Sequence, residues 1–176
     1  MKTHLTNFLP DTASPADAAV IADLGSTTFA ETFGYLFDDA TLQHYLQQTF
    51  NQGKIRNSLK KPDNRYQVAW LGNKAIGFSK LKFNSSCVYA DEQAQVQLQK
   101  IYVLKKYLGL SYGQKLLEQC LQAARAAGCK LMWLHVLQEN ERAVMFYKKN
   151  GFEVLGAAYF SIGSNHLSYH CMARQL

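Results

Sequence analysis

Apolar and polar residues repeat with two different periods along this chain, and the change falls close to Lys61-Pro62-Asp63-Asn64. Before that point the spacing is helical. Leu42, Tyr45, Leu46, Thr49 and Phe50 recur at steps of three and four and so share one stripe of a helix. Asp38 or Asp39 stands where the cap of that helix belongs, and Gly53 where the helix is expected to stop. Upstream, Ser14-Pro15-Ala16-Asp17 opens a helix expected to run to about Thr28. Ser14 can cap it, Pro15 suits the first helical position, and Asp17 complements the positive end of the helix dipole. Thr3 to Phe8 is expected as an edge strand.

After the turn at Pro62 the period shortens to two. Tyr66–Leu71 and Ala75–Phe83 read as strands, and Gly72-Asn73 between them fits a two-residue hairpin turn. From Gln93 to Val103, Ala94, Val96 and Leu98 alternate with Gln95, Gln97 and Gln99, the pattern of a half-buried strand. A helix from Ser111 to Ala127, ended by Gly128, leads to a short apolar strand, Leu131–Leu137. Asn140 caps another helix that ends at Asn150-Gly151. Phe152–Phe160 and Leu167–Ala173 close the chain as strands. A strand-helix-strand crossover over 93–137 calls for parallel strands and a right-handed connection, whereas the hairpin in the first half calls for antiparallel pairing. The expected fold is a mixed α/β sheet with helices on both faces. No linker or repeat divides the chain, so residues 1–176 are expected to form one domain.

Composition removes several function classes. The 176 residues are 48% apolar and 18% charged, enough to bury a core and too lightly charged for a disordered chain. The net charge is +6 and the isoelectric point about 9.1. Lys and Arg stand singly or in pairs such as Lys105-Lys106, so no basic arm for nucleic acid is formed, and a polyanionic small ligand accounts for the charge more simply. Cys87, Cys120, Cys129 and Cys171 form no CxxC pair and no cluster with zinc spacing, so no metal is expected. With no apolar run long enough for a signal peptide or a membrane helix, the expectation is a cytoplasmic protein with reduced thiols and no membrane partner.

The chemistry concentrates in two stretches. The first, Lys100 to Leu117, ends a strand and opens a helix, with small residues at Gly109, Ser111 and Gly113. The first amides of a helix have no partner within it, and small residues let an anion come close to them. The loop lacks the Gly-Lys-[Ser/Thr] ending of a Walker loop and the glycine spacing of a dinucleotide fingerprint. Taken by itself it reads equally as a phosphate cradle or as a helix start packed through small residues. The second stretch is Asn140-Glu141-Arg142-Ala143-Val144-Met145-Phe146-Tyr147-Lys148-Lys149-Asn150-Gly151-Phe152.

Together these stretches resemble the GNAT superfamily of N-acetyltransferases, whose cofactor loop has the form [Q/R]xxGx[G/A] and whose following motif reads NxxAxxFYxxxGF. The resemblance is strong over residues 96–156 and extends more loosely to Phe29-Ala30-Glu31-Thr32-Phe33, where the chain looks like the PaiA branch associated with spermidine and spermine. It implies a mostly antiparallel sheet of six to seven strands with a central, splayed parallel pair. It also implies acetyl-CoA as cosubstrate, a small-molecule amine as acceptor and direct attack in a ternary complex. A homodimer is compatible with it. By the same resemblance, the backbone of Ile101 and Val103 would pair with the amide arm of coenzyme A. The amides of Leu108, Gly109, Leu110, Ser111, Tyr112 and Gly113 would hold its pyrophosphate. Asn140 would bond the pantetheine arm, and Lys149 would meet a phosphate unless it is simply solvated. Tyr102, Ala143 and Phe146 complete the cosubstrate set. Tyr147 would stand by the sulfur and protonate the departing thiolate.

Two departures alter this picture. Leu108 replaces the usual Gln or Arg but still offers its N–H, and Ser111 replaces a glycine. The branch places Glu at positions matching Gln97 and Gln99, which cannot take a proton here. An alkylamine with a pKa near ~10.4 is almost wholly charged at neutral pH, so a base is needed. His135 can relay that proton, unless it is a strand histidine satisfied in the core. The acidic residues expected of a polyamine cleft are missing from Gly163–His170. Glu31 with Phe33, in an aromatic run from Phe29 to Phe37, is the better candidate for lining an acceptor pocket, while Asp38 and Asp39 read first as helix caps. A peptide N-terminus is the alternative acceptor, and a non-catalytic acyl-CoA sensor the alternative class.

Overall fold

A computed structural model describes residues 8–176. Seven strands are hydrogen-bonded in the order β1-β2-β3-β4-β5-β7-β6. They are β1 (Phe8–Thr12), β2 (Asn64–Leu71), β3 (Lys74–Phe83), β4 (Gln95–Val103), β5 (Leu131–Leu137), β6 (Glu153–Ile162) and β7 (Asn165–Gln175). The helices are α1 (Ala18–Phe33), α2 (Asp39–Thr49), α3 (Gln52–Leu59), α4 (Tyr112–Ala126) and α5 (Glu141–Lys149). Pairing is antiparallel for β1 with β2, β5 with β7, and β7 with β6; β4 and β5 run parallel in the register Gln95↔Leu131, Val96↔Met132 and Gln97↔Trp133. The mixed sheet with one parallel pair is therefore as the residue pattern requires.

Local signals explain most element ends. Ser14 forms a capping box with Asp17 over a 3₁₀ turn, Pro15–Asp17, that leads into α1. Gly128 and Gly151 close α4 and α5 with φ of 78° and 76°, a backbone region that favours glycine. The largest differences from expectation lie in the first half of the chain, the others being shifts of one or two residues at strand and helix ends. Most of the edge strand placed at Thr3–Phe8 lies outside the described residues, and the described edge strand starts at Phe8. The first helix continues past Thr28 to Phe33. Gly53 does not end a helix: α2 stops at Thr49, and Gly53 sits in the first turn of α3. There the Asn51 carboxamide oxygen accepts from Lys54 N at 3.1 Å and Ile55 is buried. A good cap and one buried side chain outweigh the low helix propensity of a single glycine.

The chain resolves into two compact units, with cuts inside the continuous elements β3, β4 and α4: residues up to 80 with 100–119, and residues 81–99 with 120–176. In the first unit, Ala69, Ile76 and Leu116 are buried, with Ile101, Tyr107 and Tyr112 packed against them. A separate aromatic cluster centres on Phe29, whose ring meets Phe33, Phe37, Tyr45 and Phe50 at centroid distances of 4.6–6.1 Å. Gly77 faces the Tyr102 carbonyl and Val103 so closely that a β-carbon has no room. In the second unit, Cys87, Leu131, Trp133, Cys171 and Ala173 form a buried cluster. A bulge between Val154 and Gly156 marks the edge strand β6; the Tyr89 ring covers Gly156 and its hydroxyl donates to Ala157 O at 2.6 Å. All four cysteines are buried free thiols. Among the described residues, no helix is long and apolar enough to cross a membrane.

Candidate active site

The strand-to-helix loop of the first unit is built from its hydrogen bonds outward. Beyond β4, Leu104 N donates to Ile76 O at 2.9 Å, and a 3₁₀ turn, Lys105–Tyr107, follows. Lys105 N donates to the Glu31 carboxylate at 2.8 Å, so α1 anchors the start of the loop. Tyr107 N and Leu108 N donate to Leu104 O and Lys105 O at 2.9 and 3.1 Å, and the ladder resumes only where Lys115 N donates to Ser111 O at 3.1 Å. The Leu108 amide is thus already engaged. Between these bonds, the amides of residues 109–113 have no acceptor among the described residues. Gly109 and Ser111 both take positive φ, 82° and 64°. Where left- and right-handed residues alternate, successive amides can turn toward a common side and receive an anion. The N-terminus of the 15-residue α4 adds its dipole at the same place.

Lysines stand on the elements that flank this loop. Lys105 and Lys106 occupy the turn and Lys115 the first turns of α4. Lys106 lies over the Tyr107 ring at 5.3 Å, and Lys115 over Phe8 at 5.5 Å and Tyr112 at 5.9 Å. The neighbouring Lys74 lowers the Lys106 ammonium below its ordinary pKa, through a hydrogen bond and through like charge. Two ammonium groups held that close favour an anion between them.

In the second unit, Asn140 caps α5 with its side-chain oxygen, accepting from Ala143 N at 3.2 Å. Its NH₂ group remains a donor. Helix α5 buries Val144 and Tyr147 and leaves Lys149 exposed in its last turn. The Tyr147 ring meets Phe146 and Phe152 edge-on at 5.4 and 5.6 Å. Burial, with a smaller contribution from Cys120, holds its phenol well above the usual tyrosine range. The phenol is therefore a neutral donor at every working pH. It is also a weaker acid than tyrosine in water, and the gap to a thiolate is widened rather than narrowed. His135 is half-buried on β5 between the rings of Trp133 and Phe160, both at 5.2 Å, opposite Cys171 in the register. Burial lowers its pKa, which keeps the imidazole neutral at pH 7 and able to accept a proton.

The remaining candidates divide. Glu31 is bound to the loop through Lys105 N, and the Phe33 ring is tilted against Phe29 in the aromatic cluster. Asp38 caps α2 through Thr41 N at 2.9 Å, and that bond lowers its pKa. Gln97 meets Ser85 at 3.5 Å, and Gln99 is exposed. One residue escaped the sequence reading: Lys100, whose ammonium lies over Phe50 and Tyr102 at 5.2 and 5.7 Å. Its signal was parity, since Val96, Leu98, Lys100 and Tyr102 are alternate residues of one strand.

The profile described as the Acetyltransferase (GNAT) family matches residues 27–152. An uncharacterised N-acetyltransferase of Mycobacterium tuberculosis (strain ATCC 25618 / H37Rv) is 26% identical over 160 residues, 91% of this chain and 98% of that protein. Among solved structures, the PaiA N-acetyltransferase of Thermoplasma acidophilum in complex with coenzyme A superposes with a TM-score of 0.79 at 18% identity, covering 97% of this chain and 99% of that one. Arabidopsis thaliana NAA60 in complex with a bisubstrate analogue superposes with a TM-score of 0.73 at 14% identity, covering 97% and 99%. A loop with free amides at the mouth of α4, followed by a capped α5 carrying Tyr147, stands within a matched region of this extent: the chain belongs to the GNAT acetyltransferase family and is an acyltransferase.

Proposed function

We propose that the protein transfers an acetyl group from acetyl-CoA to a primary amine by direct attack, with Gly109–Gly113 as the pyrophosphate cradle and Tyr147 as the donor to the departing sulfur. The observation that carries this reading is the run of amides at 109–113 that lack an acceptor among the described residues, held open by left-handed Gly109 and Ser111 and flanked by Lys74, Lys106 and Lys115. A diphosphate fits that set of donors by charge and by number. The coenzyme A bound to the PaiA relative supports the same assignment. The bound thioester supplies an activated acyl carbon.

The chain's own residues do the rest. The backbone of Ile101, Tyr102 and Val103 would pair with the pantetheine amides, and Asn140 NH₂ would donate to a pantetheine carbonyl. Ala143 and Phe146 offer surface on α5, and Lys149 an exposed charge for a phosphate. Tyr147 keeps its proton at neutral pH because its phenol is buried. It would therefore act by hydrogen-bonding the developing thiolate, the proton that completes the thiol coming in the end from the amine. Neutral His135 would accept the amine proton, through water if at a distance. An acceptor whose pKa is near ~8, such as an α-amine, costs less to deprotonate than an alkylamine near ~10.4. With Gln97 and Gln99 in place of carboxylates and Glu31 engaged by Lys105 N, an α-amine of an amino acid or peptide suits this chain better than a polyamine. The protein would work where acetyl-CoA is made, in the cytoplasm.

Thermal melting with acetyl-CoA, coenzyme A, ATP and a DNA oligomer tests the cradle. A rise with the coenzyme A species alone is expected; no rise removes the assignment. Thiol release over amines, amino acids and peptides then tests catalysis. Binding without release from any acceptor would leave an acyl-CoA sensor.

A further inference from the structure

Among the described residues of the first unit, Lys100 is a half-buried cation whose ammonium lies over two aromatic rings. It projects from β4 over the faces of Phe50 and Tyr102. No carboxylate pairs with it among the described residues, and the charge that acts on it is a second cation, Lys54 of α3. Burial first, and Lys54 second, bring its pKa down to about 8. A buried charge is ordinarily paired, because desolvation without a counter-charge is costly. Aromatic faces compensate only in part. An ammonium in such surroundings attracts an anion.

Resting on the acyltransferase reading above, we propose that Lys100, Phe50 and Tyr102 form a subsite for a carboxylate carried by the acyl acceptor, so that the preferred acceptors are amino acids or other small amines that bear a carboxylate. The phosphates of the cosubstrate are assigned to a different neighbourhood. Their donors lie at 109–113, beside Lys74, Lys106 and Lys115. Ile101, next to Lys100 in sequence, packs toward Leu116 of α4, whereas Lys100 and Tyr102 turn toward Phe50. Phe50 joins Phe29 at 6.1 Å, and Phe29 joins Phe33 at 5.0 Å, so the ammonium stands on the aromatic cluster proposed to line the acceptor pocket. Two cations there repel a polyamine and attract a carboxylate. An apolar wall beside the ammonium suits an acceptor with an apolar side chain.

Thiol release is measured with matched pairs, each an α-amino acid and the amine left on its decarboxylation. The wild-type protein should prefer the amino acid in kcat/KM by about tenfold or more. Lys100→Met should erase the preference through the KM for the acceptor, without change in the KM for acetyl-CoA, and Lys100→Arg should keep most of it. Equal or faster turnover of the decarboxylated amines overturns the proposal. So does a Lys100→Met protein that loses only acetyl-CoA affinity, since the ammonium would then serve a phosphate. A titration of the Lys100 ammonium by NMR, with and without amino acid, covers a chain that turns nothing over. A raised pKa with the amino acid supports the subsite even when the transferase reading has failed, and an unchanged pKa sinks it.

Discussion

Ser111 adopts φ of 64° although it carries a β-carbon. The left-handed region costs an ordinary residue about 1–2 kcal/mol, whereas glycine enters it freely but loses more entropy on folding. Ser111→Gly is therefore expected to stabilise the protein by up to about 1 kcal/mol while leaving the amide run intact. Thermal unfolding with and without coenzyme A checks both halves: the melting temperature of the free protein should rise and the ligand-induced increment should persist. Tyr147 makes the second prediction at this scale. Tyr147→Phe retains the rings against Phe146 and Phe152 but removes the donor. kcat should fall about 10²-fold with the KM for acetyl-CoA unchanged. Steady-state kinetics with equal kcat in the two proteins would remove Tyr147 from the chemistry.

Between elements, two contacts set the geometry of the loop. One is the bond from Lys105 N to the Glu31 carboxylate, which ties α1 to the turn before the cradle. Glu31→Ala leaves this amide to water and frees the turn, so coenzyme A affinity should fall by a few-fold, equivalent to about 1 kcal/mol. Glu31→Gln still offers an oxygen and should retain most of the affinity; calorimetric titration distinguishes the two. The other is the absence of a β-carbon at Gly77, where the Tyr102 carbonyl and Val103 come close. Gly77→Ala forces β3 and β4 to shift, at a cost of about 1–3 kcal/mol, and the loss should appear in denaturant unfolding.

At the scale of the molecule, titration couples to stability in opposite directions. Lys100 ionises at about 8 in the folded chain and 10.5 otherwise, so between these values unfolding takes up a proton and this group's contribution to stability grows with pH. Cys171 behaves in reverse. Its thiol, pushed up to about 12 by burial and then by Cys87, stays protonated in the fold while the unfolded thiol ionises near 9.0. Stability from Cys171 is present below about pH 9 and is lost above it. The two are separated by subtraction. The stability of wild type relative to Lys100→Met should move in favour of wild type from pH 7 to pH 9. A difference that stays flat over that range would show Lys100 to be solvated.

Sequence alone determined the elements whose signals are local. The Ser14 cap, the Asn140 cap, the glycines at 128 and 151, and the strand and turn signals of β2 to β7 each depend on neighbours within a few positions, and each appears in the fold. The motif from Asn140 to Phe152 was legible for the same reason. Tertiary structure decided what depends on partners distant in sequence. It gave Glu31 to Lys105 N across 74 positions, and it buried Ile55, which helps hold Gly53 inside a helix. It also raised Tyr147, lowered His135, and set the Lys100 ammonium over Phe50 and Tyr102. Propensity and capping are properties of a short segment, whereas desolvation and charge depend on whatever the fold brings alongside.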